Sequence, residues 1–156
     1  QRTDINTGTL KTIRRLSMQI SARNQISGIV ELITNGTVNA EVYIKLKSGY
    51  TIVSVITNTA VSNLNLKLGD EVVAIFKSNT VLITTDISLN ISARNKLQGK
   101  VDSINKGEIN SELIIDIGNG DKVASIITSN SIDNLKIKEG AQVSAIIKAS
   151  DVMIGK

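Results

Sequence analysis

Ile20-Ser21-Ala22-Arg23-Asn24 recurs as Ile91-Ser92-Ala93-Arg94-Asn95, and the residues after each copy align without a gap at the constant offset that carries 20 to 91. Gly28 aligns with Gly99, Gly36 with Gly107, Gly49 with Gly120 and Gly69 with Gly140. Ser54-Val55-Ile56-Thr57 aligns with Ser125-Ile126-Ile127-Thr128, and Lys77 with Lys148. About 26 of about 65 aligned pairs are identical, so the chain is a tandem repeat. Glycines and apolar positions persist because a fold needs them. Ser-Ala-Arg-Asn, the Ser/Thr pair and the lysine persist although they are polar, which makes them candidates for a site.

Each repeat reads as short β-strands. Residues 25–33 form the first, ending at the hairpin pair Asn35-Gly36. Residues 38–46 alternate Val38, Ala40, Val42, Ile44 and Leu46; Ser48-Gly49 turns the chain into a third strand over 50–56. Val61, Leu64 and Leu68 then lie at helical spacing, with Thr57 or Thr59 available as the N-cap. Residues 71–76 and 80–84 complete the set. Five strands and one short helix, twice over, predict an all-β chain of two tandem OB-like five-stranded barrels, since closure removes the exposed edges of β-branched strands. The expected division is 1–18 as a linker or the tail of an upstream domain, 19–85 as the first domain and 86–156 as the second. Residues 85–90 are so short a linker that the barrels should pack closely. Leu10, Ile13 and Leu16 share helical spacing, which suits a helix tail or an unstructured lead.

Composition narrows the chemistry. The 156 residues are 41% hydrophobic but include only Tyr43, Tyr50 and Phe76 as aromatics, with no His, Cys or Pro. Zinc and iron–sulfur sites of the ordinary kind, and nucleophilic triads built on His, are excluded. An enzyme is therefore not expected, nor is a bound metal cation or a catalytic cofactor. A nucleic-acid-binding OB fold stacks bases on aromatic platforms and follows a basic groove. Three aromatics and a net charge of +4 argue against that function. No apolar run approaches the ~20 residues of a membrane span and no secretory signal is visible. A soluble cytoplasmic protein with no membrane partner is expected. The sequence opens on Gln1, as a fragment or a chain lacking its first residues would.

The repeated polar groups share one chemistry. In an extended segment Ser21 and Arg23 project to one side. Lys77 and Lys148 end the fourth strands, where a lysine ordinarily guards an edge. Thr57 and Thr128 stand where a strand gives way to the short helix, a place for capping. Arg23 taken alone reads as a surface salt-bridge partner of Glu41 or Asp70. Taken together, Arg, Lys, Ser, Thr and main-chain amides are all donors. Such a set meets the demand of a dehydrated dianion for full hydrogen bonding and charge compensation. The ligand class implied is a small oxyanion.

Ser21-Ala22-Arg23-Asn24-Gln25, Gly36-Thr37-Val38-Asn39-Ala40-Glu41-Val42, Ile56-Thr57 before a short helix, and Lys77-Ser78 or Lys148-Ala149 ahead of Val-x-Ile resemble the Mop (molbindin) domains. Those are OB-like modules that bind molybdate or tungstate. The resemblance covers residues 16–156. It implies sites at subunit interfaces of a homodimer or larger symmetric oligomer. Ser21, Ala22, Arg23, Lys77 and Ser78 would bind the oxyanion in repeat one, with Thr57 reaching in from the partner subunit. Ser92, Arg94, Thr128 and Lys148 match in repeat two, where Ala149 replaces the serine. The lead-in 16–25 is similar to the stretch that joins a winged-helix domain to the first repeat in ModE-type molybdate-responsive regulators. DNA would then be bound only by an upstream domain. A free-standing molbindin-type store of molybdate is the alternative.

Overall fold

The computed structural model describes residues 18–156. Its elements are β1 (Asn24–Asn35), β2 (Asn39–Leu46), β3 (Thr51–Thr57), α1 (Asn58–Asn63), β4 (Glu71–Phe76) and β5 (Leu82–Thr84), then β6 (Asn95–Lys106), β7 (Asn110–Gly118), β8 (Asp121–Thr128), α2 (Ser129–Leu135), β9 (Gln142–Ile147) and β10 (Met153–Gly155). A single 3-10 turn precedes each short last strand, at Ser78–Thr80 and Ala149–Asp151. The spacing at Leu10, Ile13 and Leu16 lies outside the described residues.

The chain makes two curled five-stranded sheets, and the two repeats fit two OB-like barrels, each with one short helix. The strand order is β10-β4-β1-β2-β3 in one sheet and β5-β9-β6-β7-β8 in the other. The fifth strands are exchanged. β10 pairs antiparallel with β4, Ile154 opposite Ala74, while β5 pairs with β9, Ile83 opposite Ala145. The sequence pattern predicts both strands correctly but cannot say whose sheet they join, because hydrophobic alternation marks a buried face and not its owner.

Buried polar side chains hold the exchange in place. Ser54 on β3 donates to the Val152 carbonyl at 2.5 Å, and Ser125 on β8 donates to the Val81 carbonyl at 2.8 Å. Each serine thus fastens the segment arriving from the other repeat across the open side of its barrel. Asn24 and Asn95 act between the sheets. The Asn24 amide donates to the Ala124 carbonyl at 2.8 Å and accepts from the Ala124 amide at 2.8 Å. Asn95 does the same to Val53, at 2.9 and 2.8 Å. A primary amide here copies a peptide group and satisfies the exposed edge of β8 or β3. These asparagines and serines have structural roles, so persistence alone does not mark a polar residue as part of a site.

One apolar core runs through both repeats, from Ile26, Val42 and Ile52 to Leu97, Leu113 and Val123. The alternation read in β2 holds from Ala40 to Leu46, all buried, but Val38 is 68% exposed at the hairpin tip. The helix is also shorter than its apolar spacing suggested. It stops at Asn63, with Leu64 as its C-cap and Leu68 exposed. Both first strands carry a bulge against their neighbours, between Val30 and Leu32 and between Val101 and Ser103. Just before each bulge lies a glycine of the repeat pattern. A Cβ on Gly28 would sit 2.7 Å from the Lys45 carbonyl oxygen, and one on Gly99 2.4 Å from that of Asp116.

Replacing Asn24 with Ala strands a buried N–H and a buried C=O on Ala124. The expected cost is about 2–5 kcal/mol, read as a lower midpoint in urea unfolding; an unchanged midpoint would show that the edge of β8 does not depend on this amide.

Candidate functional site

β1 and β4 pair with Asn24 opposite Phe76, so one step beyond the ladder Arg23 and Lys77 stand together at the mouth of the first barrel. The same register, Asn95 opposite Ile147, brings Arg94 beside Lys148. Strand pairing thus gathers residues that the sequence keeps far apart.

Residues 18–23 are bent and not extended. Ala22 is buried and packs with Met18 on Val73 and Ile75 of β4. That anchor leaves its neighbours Ser21 and Arg23 exposed on the rim. The Gln25 side-chain amide steadies the bend by donating to the Ala22 carbonyl at 3.0 Å. Lys77 extends β4 into solvent, and Ser78 is buried at the first position of the following 3-10 turn.

Ser21, Ala22, Arg23, Lys77 and Ser78 line one open cavity of about 390 Å³. Asn79, Ile126 and Met153 also line it. No acidic side chain among the described residues lines it. Among the described residues the hydroxyls of Ser21 and Ser78 and the Lys77 ammonium have no hydrogen-bond or ion-pair partner. Asn79 escaped the sequence reading because repeat two has Ser150 there. Ile126 and Met153 belong to the other repeat: Met153 enters on the exchanged β10, and Ile126 on β8, whose edge Asn24 holds at Ala124; spacing along the chain shows neither.

Thr57 does not line this cavity. Its hydroxyl caps α1, accepting from the Ala60 amide at 3.1 Å, and Thr128 caps α2 by accepting from Ser131 at 3.1 Å. In repeat two Ser92, Arg94 and Lys148 are exposed like their counterparts, while Ala149 is buried where Ser78 stands in repeat one.

Both arginines pair across the repeats, Arg23 with neither Glu41 nor Asp70. Arg23 Nη1 lies 2.5 Å from Glu112 Oε2, and Arg94 Nη1 lies 2.6 Å from Glu41 Oε2. Glu41 and Glu112 are themselves repeat equivalents on β2 and β7. Asp70 instead pairs with Lys156 at 3.0 Å. Arg94 and the Tyr43 hydroxyl hold the Glu41 carboxyl below its usual range, and Glu41 in turn raises the Arg94 guanidinium.

The family model for the TOBE domain matches residues 20–83 and again 91–154. The chain belongs to the TOBE-domain family, with two Mop-type repeats in tandem. It is 37% identical over 155 residues to the molybdenum transport protein ModE of Azotobacter vinelandii, covering 97% of this chain and 57% of that protein. It is 36% identical over 146 residues to the molybdenum-pterin-binding protein MopA of Rhodobacter capsulatus, covering 93% and 55%. The chain therefore spans a little over half the length of these relatives. Among solved structures it is similar to the cytoplasmic molybdate-binding protein ModG with molybdate bound. There the TM-score is 0.85 and the identity 41%, over 88% of this chain and 99% of that one. These relatives are binding and transport proteins by name, not enzymes. No helix among the described residues is long and apolar enough to cross a membrane.

Because the pKa of Glu41 is depressed on folding, its tie to Arg94 is present above the ordinary carboxylate range and is lost as pH falls through the lowered value. A carboxyl-resolved NMR titration should place the Glu41 midpoint below about 4.3, the usual value for glutamate, and an Arg94→Ala change should return it upward.

Proposed function

We propose that the chain binds molybdate or tungstate as an oxyanion, with Ser21, Ala22, Arg23, Lys77 and Ser78 forming the repeat-one site and Ser92, Arg94 and Lys148 the repeat-two site. The observation that carries this reading is the cavity itself. Two cations, two hydroxyls and a bent main chain converge on it, and among the described residues no carboxylate lines it, Glu112 meeting Arg23 from outside the lining. A tetrahedral dianion can accept from every one of these donors. The molybdate bound by ModG supports the choice of anion, and the names of ModE and MopA both carry molybdenum.

The cavity is open and the threonines lie apart from it, so each site is completed by a second copy of the chain. Thr57 and Thr128 would be delivered by the neighbouring subunit's hairpin end. The exposed apolar tips Val38 and Ile109 support this. They are 68% and 76% exposed, and their carbonyls accept from Asn58 at 2.9 Å and Ser129 at 2.8 Å, next to the caps. The chain thus works in the cytoplasm as a homodimer or larger symmetric oligomer. Its role is the effector-sensing region of a molybdate-dependent regulator, any contact with DNA being made by an upstream domain. ModE aligns with 97% of this chain while extending well beyond it, which supports that role. A second reading, a free-standing molybdate store, is favoured by the match to 99% of the ModG chain. The open reading frame of the native gene decides between the two.

Calorimetric titration with molybdate, tungstate, sulfate and phosphate tests the binding. Molybdate and tungstate should bind; phosphate, protonated at neutral pH, should be disfavoured because the site offers its proton few acceptors. Arg23→Ala should cost about 2–5 kcal/mol of binding at the repeat-one site while the fold survives. Equal affinities for phosphate and molybdate, or a stable monomer in sedimentation with and without molybdate, would refute the proposal.

A further inference from the structure

The two arginines of the repeated motif are not held alike. Arg94 closes a three-membered ring of contacts. Its Nη1 donates to Glu41 Oε2 at 2.6 Å and its Nη2 to the Tyr43 hydroxyl at 3.0 Å. Tyr43 completes the ring by donating to Glu41 Oε1 at 3.1 Å. The guanidinium carbon also lies 6.0 Å from the centre of the Tyr43 ring, within reach of a cation–π contact. Both Nη atoms of Arg94 are occupied.

Arg23 meets only the first of these partners. Glu112 stands in for Glu41, but the residue aligned with Tyr43 is Ile114, which has no hydroxyl and no ring. An exposed ion pair of this kind contributes about 0–1 kcal/mol and yields readily to a competing dianion. Arg94 must break two charge-assisted hydrogen bonds, each ordinarily stronger than a neutral one, to turn fully to a ligand. The rest of the constellation differs in the same direction. Ser78 lines the repeat-one cavity with a hydroxyl that has no partner among the described residues, and its counterpart Ala149 has none to offer. The lysines, Lys77 and Lys148, are alike in exposure and cannot set the sites apart.

We propose that Tyr43, through Glu41, holds Arg94 back from the anion, so that the repeat-one site is the tight one and the repeat-two site fills second. The inference rests on the oxyanion reading above and assigns Tyr43 as a positioning residue that sets affinity without touching the ligand. The sites that look duplicated in sequence would then respond over two different ranges of anion concentration.

Calorimetric titration of the assembled protein with molybdate tests this. The wild type should show two classes of site. Arg23→Ala should weaken the tight class about thirtyfold or more and leave the weak class nearly unchanged; Arg94→Ala should act only on the weak class. Tyr43→Phe keeps the ring and its packing but opens the contact ring, and should tighten the weak class about two- to tenfold. Adding Ala149→Ser should bring the two classes closer still. The Glu41 carboxyl midpoint should rise in Tyr43→Phe, a readout that simple packing would not move. One class of site weakened equally by Arg23→Ala and Arg94→Ala would overturn the ordering. So would a tight class lost on Arg94→Ala, or a Tyr43→Phe protein whose weak class is unchanged or weaker. No molybdate binding by any variant or the wild type would overturn the oxyanion reading itself, and this inference with it.

Discussion

β4 and β9 each leave one edge that their own repeat does not cover, and the rest of the structure depends on how those edges are filled. β10 takes one and β5 the other, so each barrel is completed by the opposite half of the chain. An unpaired edge with apolar neighbours invites association with another chain. Here the invitation is answered internally, and short buried hydrogen bonds from Ser54 and Ser125 fix the answer. The exchange also shapes the site: Met153, in the cavity beside Arg23 and Lys77, is there because β10 lies on β4.

Much of this was legible in the residues. Strand alternation, the Asn35-Gly36 hairpin, the Thr57 cap and the glycines gave the elements of each barrel, because these signals act over a few neighbours and need no knowledge of the whole. The cluster of Ser21, Arg23 and Lys77 was legible through repetition, and antiparallel register brings its members together. What the residues did not disclose is non-local. No short-range signal tells Leu82–Thr84 to join β9, or marks Glu112 as the partner of Arg23. Persistence alone also could not separate Asn24, which copies a peptide group on a neighbouring edge, from Arg23 one residue before it. Both are polar and both recur. Burial divides them, since Asn24 is 2% exposed while the Arg23 side chain is 52% exposed.

The two halves have nonetheless drifted where the fold permits. Tyr43 against Ile114 is a change beside a candidate site and Ser78 against Ala149 a change within one, and neither lies in the core that supports them. Asp70, clipped by Lys156, has Ala141 as its counterpart. The framework of exchanged strands and paired asparagines is kept symmetric by mutual dependence, because a change in one half disturbs a barrel belonging to the other. Rim positions carry no such obligation.

The exchange also sets an order of events during synthesis. When β4 leaves the ribosome its partner β10 has not been made, and the whole of repeat two lies between them. Early in translation the first barrel can assemble four of its five strands but must wait with one side open, its Ser54 hydroxyl without the Val152 carbonyl. Contacts spanning that much chain form late and slowly, since the loop must be closed before they stabilise anything. The half that is translated first is therefore finished last.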